Sequence, residues 1–250
     1  MATTLRFDNL NVLDSKAVKG SKISKMPQPI PYREYFGEMY ISPEQMRSRI
    51  ELAEEIEDVM LYLLAYWSIA VDAELSVEEV KQGGIDRLTS VIARHTIIDP
   101  YLEKHINDVV NEVIDVTEKH AEERKQQEQE ETDEEDDVDT LLEEEKSETE
   151  KSKDYWTSRE RAQLISENEA NAFDNYIDYQ NAIASGKTKK TWVTELDNKV
   201  RVTHTLVEGE TVDIDGLFLV GDSLMRFPKD TMYEPYAGEV VNCRCSCVYK

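Results

Sequence analysis

The densest chemistry in the chain lies at its end, where all three cysteines, Cys243, Cys245 and Cys247, fall within the last eight residues. Side chains alternate along an extended strand, so this spacing sends the three sulfurs to one face. A fourth donor is available upstream. The β-branched run Val200–Val207 reads as a strand, and His204 shares the parity of Val200, Val202 and Leu206, which turns its imidazole inward. Three thiols and one imidazole make the donor set of a structural zinc site. Cys-x-Cys is a weaker spacing than the Cys-x-x-Cys knuckle, and buried free thiols beside a satisfied core histidine are the plainer alternative. A third chemistry is a cysteine or serine nucleophile activated by His204. Against it, the other histidines, His95, His105 and His120, fall on or beside N-terminal helices, and no phosphate-cradling glycine loop or nucleophile elbow accompanies them. The chain therefore reads as a non-enzyme, with structural zinc as its one candidate cofactor.

These residues need a scaffold. Thr157 with Glu160 has the capping-box pattern, which predicts a helix from Ser158 to about Ser185 with Gly186 just past its end. Strands are predicted over Thr191–Thr194, Val200–Val207 and Gly216–Val220, punctuated by Glu208-Gly209 and Asp215-Gly216. Trp192 stands at the junction of helix and first strand, where its large ring can fix their docking. Arg201 lies four residues from Asp197 and can pair with it, or it can reach Glu169 on the helix.

The first half is helical. Ser42, Pro43 and Gln45 predict a helix running to about Ala70. Ser76 with Glu79 opens a second, interrupted at Gly83-Gly84 and resuming from Ile85 to about His95. Asp99-Pro100 opens a third, whose Ile106, Val109, Val110, Val113 and Ile114 form one apolar stripe. Before these helices lies Met26-Pro27-Gln28-Pro29-Ile30-Pro31-Tyr32, a proline-rich stretch that suits an extended arm. The expected fold class is α+β: an extended arm over 1–41, a helical domain over 42–120, an acidic linker over 121–153, and a C-terminal domain over 154–250 made of a long helix and a small antiparallel β unit.

The net charge is −24, and about half of it falls between Ala121 and Lys151. Like charges at that density repel, with little apolar surface to bury, so the segment reads as a solvated spacer or a frayed helix extension. A chain this acidic is repelled by phosphate backbones and anionic membranes alike. Only Lys187, Lys189 and Lys190, and the cluster Lys16, Lys19, Lys22 and Lys25, offer local basic patches for packaged DNA. The longest apolar run, Val59–Val71, is shorter than the roughly 20 residues a membrane span needs. Residues 1–10 are polar, with no apolar run of the kind that opens a secretory leader. Cysteines confined to one short segment do not form a disulfide framework and suit a reducing compartment.

From Arg161 onward the chain resembles the phage Mu F-like head morphogenesis family of minor head proteins, over roughly residues 158–247. The residues that carry the resemblance are Arg161, Ile165, Glu169 and Asn171 on the helix, then Trp192, Asp197, Arg201, His204, Gly209 and Phe218, and the closing Asn242-Cys243-Arg244-Cys245. The sequence departs from the family pattern at Ile165-Ser166-Glu167-Asn168, where Ala-Arg-Thr more often precedes the glutamate, and in its extra Cys247. The resemblance implies a structural protein of a tailed bacteriophage, assembled in the host cytoplasm and carried in the capsid interior near the portal vertex. It implies the portal protein as partner, with the major capsid or scaffold protein as further contacts, and no membrane. The alternatives are an ejection cargo or DNA-contacting protein not bound to the portal, and the small Cys/His enzyme considered above.

Overall fold

The structure, a computed structural model, describes residues 41–66, 75–133 and 155–250. The N-terminal arm to residue 40 with its lysine cluster, and residues 134–153 of the acidic segment, lie outside the described residues. Among the described residues four long helices come first: α1 (Pro43–Leu64), α2 (Val77–Ile92), α3 (Pro100–Asp133) and α4 (Arg159–Ala184). Short elements follow: β1 (Lys189–Val193), α5 (Val202–Leu206), β2 (Thr211–Asp213), β3 (Phe218–Val220), β4 (Ser223–Met225), α6 (Ala237–Val240) and β5 (Ser246–Tyr249). The architecture is α+β, a helical N-terminal region followed by small antiparallel sheets after a long helix.

The first two helices start where their capping boxes place them. Ser42 and Gln45 exchange side-chain bonds with each other's backbone N–H, and Ser76 and Glu79 do the same. Their apolar residues recur every three to four positions, so α1 buries Leu52, Ile56, Met60 and Leu63, and α3 buries Leu102, Ile106, Val110 and Ile114. The expected interruption at Gly83-Gly84 does not occur, because α2 runs unbroken through both. The pair serves contact instead. A Cβ on Gly84 would sit 2.4 Å from Leu63 Cδ2, and one on Gly83 would sit 2.6 Å from the Tyr62 hydroxyl. The missing side chains let α2 approach α1 closely, and that packing outweighs the helix cost of about 1 kcal/mol per glycine. Helix α1 ends at Leu64 rather than near Ala70, and residues 67–74 lie outside the described residues. Helix α3 continues into the acidic segment as far as Asp133, as a helix extension would.

Helix α4 is capped one residue later than the Thr157/Glu160 pattern suggests. The Ser158 hydroxyl accepts from the Arg161 N–H, which leaves Thr157 outside the helix. At the other end Gly186 sits at φ +71°, and the Gly186 and Lys187 N–H groups bond back to the Ile183 and Ala182 carbonyls at 3.0 Å each. This is the Schellman closure expected of a C′ glycine. The helix lies along α1, and its buried residues join those of α1, α2 and α3 in one hydrophobic core.

The sheet order is β2-β1-β5, antiparallel throughout, with β3-β4 as a separate hairpin. Trp192 in β1 stands opposite Cys247 in β5, and Lys190 opposite Val212 in β2. Val200–Val207 is not a strand. Its centre forms α5, with the Arg201 carbonyl accepting from His204 and Thr205 N–H at 3.1 and 2.9 Å. Helical geometry scatters the residues that a strand would have kept on one face, so Val202 is 78% and Leu206 80% exposed while His204 is buried.

Candidate metal centre

His204 points inward because both of its ring nitrogens have partners there. Nδ1 lies 3.3 Å from the Cys245 sulfur and 3.6 Å from that of Cys243, and Nε2 lies 3.0 Å from Glu239 Oε2. His204 lies 35 residues or more from the other three, which fall together in the stretch Glu239–Cys245. The cluster sits between α5, α6 and the loop entering β5, under Trp192, whose ring meets the imidazole edge-on at 5.8 Å between centroids.

The donor atoms of His204, Cys243 and Cys245 lie within 4.8 Å of one another, and the three residues are buried. In a tetrahedral zinc shell the usual Zn–S and Zn–N lengths put a sulfur and a nitrogen about 3.6 Å apart. The observed separations of 3.3 and 3.6 Å fall close to that tetrahedral edge. Glu239 on the far nitrogen completes the carboxylate–histidine arrangement that fixes the tautomer of a metal-ligating imidazole. The group can bind a metal such as zinc.

Protonation at the cluster favours a thiolate. The hydrogen bond from Cys245 holds the Cys243 thiol well below its usual range against the burial that would raise it, and His204 assists. The same hydrogen bond between the two sulfurs, together with burial, pushes the free Cys245 thiol up. Burial lowers His204, but the hydrogen bond and charge of Cys243 outweigh it, and the imidazole is raised.

Cys247 is not part of this group. It sits in β5 behind Trp192, and burial pushes its thiol up to about 12 while the Lys190 charge opposes the rise. The four-ligand arrangement expected from one extended strand fails because Asn242 takes φ +55° and the strand begins only at Ser246. Cys243 and Cys245 lie in the turn before it, which is free to swing both sulfurs toward α5.

Most of the remaining residues of the pattern gather around the same loop or pack on Trp192, and Glu169 does not. Asp197 pairs with Arg244 at 2.6 Å rather than with Arg201, and that contact, with burial opposing it, holds its carboxyl below the usual range. Arg201 reaches neither Asp197 nor Glu169; its guanidinium donates to the Val241 carbonyl at 2.5 Å. Asn242 accepts a left-handed backbone more readily than most residues, and its N–H donates to Asn168 Oδ1 at 2.8 Å. Gly209 turns at φ +72° and donates to the Trp192 carbonyl, so the chain can enter β2 beside β1. Phe218 packs edge-on against Trp192 at 5.2 Å. Glu169 stands apart from the cysteines, bonded to His105 of α3 at 3.0 Å. Burial alone would raise its carboxyl, but that bond and the charges of His105 and Lys229 lower it.

Several residues of the centre carry no sequence signal of their own. Glu239 precedes the cysteines as a single charge between Gly238 and Val240, with no motif around it. Lys229, fully inside and at φ +70°, donates to the Asn168 carbonyl at 2.7 Å, and burial lowers its ammonium to about 8. Asn175 and Arg49 are likewise buried. Arg49 did leave a trace: it occupies the apolar stripe of α1, three and four positions before Leu52 and Ala53, where a charge is out of place. The Lys187-Lys189-Lys190 run forms no basic patch. Lys190 is buried with its ammonium on the Ile214 carbonyl, and Lys189 pairs with Asp213 across the sheet. No described helix is long and apolar enough to cross a membrane.

Comparison of the chain with protein-family models, with curated proteins and with solved structures found no match.

Proposed function

We propose that the chain is a minor head protein of a tailed bacteriophage, a non-enzymatic component of the capsid interior that docks at the portal vertex, and that its C-terminal region is clasped by a structural zinc ion. One observation carries the reading. Trp192, Asp197, Arg201, His204, Asn242, Cys243, Arg244 and Cys245, which the sequence shares with the Mu F-like pattern, meet around a single loop although some fifty residues of chain separate the first from the last. A pattern that folds into one connected unit behaves as a structural motif. The space beside the cysteines, lined by Glu195, Lys199, Arg201 and Asn242, is too small for a substrate, which favours holding over turnover.

His204 through Nδ1 and the two thiolates would hold the zinc, and the ion would supply a cross-link between α5 and the turn that leads into the final strand. Two measurements test the reading. Full-length protein should carry close to one zinc per chain by elemental analysis, and His204→Ala should carry none. The full chain should co-sediment at fixed ratio with portal rings encoded in the same genome. Failure to bind the rings at micromolar concentration would move the function to an ejection cargo independent of the portal.

A further inference from the structure

The cysteine loop has no sheet ladder to hold it, so its backbone must find other partners. It finds them on α4. Asn171 Nδ2 donates to the Cys243 carbonyl at 2.9 Å, and Asn175 Nδ2 donates to the Cys245 carbonyl at 3.2 Å. The match is geometric: positions four apart on one face of a helix meet alternate residues of the loop.

An asparagine amide can present either its nitrogen or its oxygen to a neighbour, and only the nitrogen can satisfy a carbonyl. What fixes the choice comes from the other half of the chain. Arg49 of α1 donates from Nε to Asn171 Oδ1 at 2.9 Å and from Nη2 to Asn175 Oδ1 at 3.2 Å. One guanidinium fork thus occupies both amide oxygens and turns both amide nitrogens toward the cysteines. Arg49 is fully buried, which is costly for a charge. Asp174 and Asp178 lie 3.8 and 3.6 Å from it and balance that charge.

From this juxtaposition we propose that Arg49, acting through Asn171 and Asn175, is the positioning residue that sets Cys243 and Cys245 for metal. Metal affinity is then a property of α1 docked on α4, not of the C-terminal region alone. The proposal rests on the metal-binding reading of His204, Cys243 and Cys245. Loss of the fork frees both amides to rotate, which puts an oxygen against a carbonyl and releases the loop that carries the sulfurs.

The test uses the full chain stripped of metal and titrated with Co²⁺, whose thiolate charge-transfer absorption reports sulfur ligation. Two conservative variants separate positioning from folding. Asn171→Asp still accepts from Arg49, and so keeps the contact between α1 and α4, but it cannot donate to the Cys243 carbonyl. Arg49→Lys keeps the charge and loses the two-pronged donor. Each should weaken Co²⁺ binding by about 10- to 100-fold, the range typical of lost outer-shell partners. Circular dichroism and melting of the metal-free proteins establish which variants are folded. Should Arg49→Lys fail to fold, Asn171→Asp decides alone. Folded variants that bind within twofold of the unaltered chain would overturn the positioning role while leaving the metal site standing. Absence of the charge-transfer band in the unaltered chain would instead overturn the metal-binding reading itself.

Discussion

Two seams among the described residues are built from opposite materials. Between α1 and α2 the contact is hydrocarbon: Leu63 reaches over Gly84, and Val80, Leu88 and Ile92 fill in around it. Between α4 and the cysteine loop the contact is polar, made of amide nitrogens on carbonyls with a buried arginine behind them. Dispersion and area burial make the first seam tolerant of small shifts in angle. The second has directional bonds whose geometry also decides where two sulfurs point. Hydrocarbon seams hold a fold together, and directional seams in addition set a site.

The largest expected effect tests that difference directly. Trp192→Ala should destabilise by about 3–5 kcal/mol, the usual range for deleting a buried aromatic. Because Trp192 covers His204 and packs on Phe218, Co²⁺ binding should weaken as well. Leu63→Ala, at about 2–5 kcal/mol, should move the urea midpoint comparably and leave Co²⁺ affinity of the folded protein unchanged. Equal losses of metal affinity in both variants would erase the distinction between the seams.

Metal removal comes next. With free zinc held at about 100 times its dissociation constant, binding to the folded state adds about 2.7 kcal/mol. Chelation should lower the melting temperature of the unaltered chain by that equivalent and should leave His204→Ala unmoved. A chelator response that persists in His204→Ala would place the metal elsewhere.

The two seams also differ in how far they could be read from sequence. The apolar stripes of α1 and α3, the boxes at Ser42 and Ser76, and the Gly186 closure are local patterns of period 3.6 or fixed offset, and each element appeared where its pattern lay. Gly83-Gly84 misled because an isolated helix pays for glycine, whereas a packed one can need it. His204 was correctly turned inward for the wrong reason, since the Val200–Val207 parity belonged to a strand that does not form. The thiol set was legible in type and wrong in number: Cys247 left the cluster once Asn242 bent the loop. Arg49 showed only as a charge out of place in an apolar stripe, and Asn175 and Glu239 could not be found by any local rule. Their partners lie 122, 70 and 35 residues away, respectively, and nothing in a directional contact repeats along the chain.

The smallest expected effect concerns the far end of the α1–α4 contact, where Glu167 bonds to Gln163 Nε2 at 2.9 Å near Glu57, itself paired with Arg159 at 2.6 Å. Burial, reinforced by the Glu57 charge, pushes the Glu167 carboxyl from 4.5 up to about 7, against the bond from Gln163. The folded state therefore binds a proton that the unfolded state releases throughout the window between those values. Stability contributed by this group should rise as pH falls from 8 through 7, and level off near 4.5, where the unfolded chain also protonates. Asp174, raised by burial to about 6 against the pull of Arg49, acts in the same direction over a lower window. Glu167→Gln should flatten the upper part of the profile, leaving the Asp174 slope below pH 6, and should gain stability at pH 8. Urea midpoints measured at intervals between pH 5 and 8 give the comparison. A profile for Glu167→Gln that climbs between pH 8 and 7 as steeply as that of the unaltered chain would show that another group carries the slope, and that burial at this end of the contact does not hold a proton on Glu167.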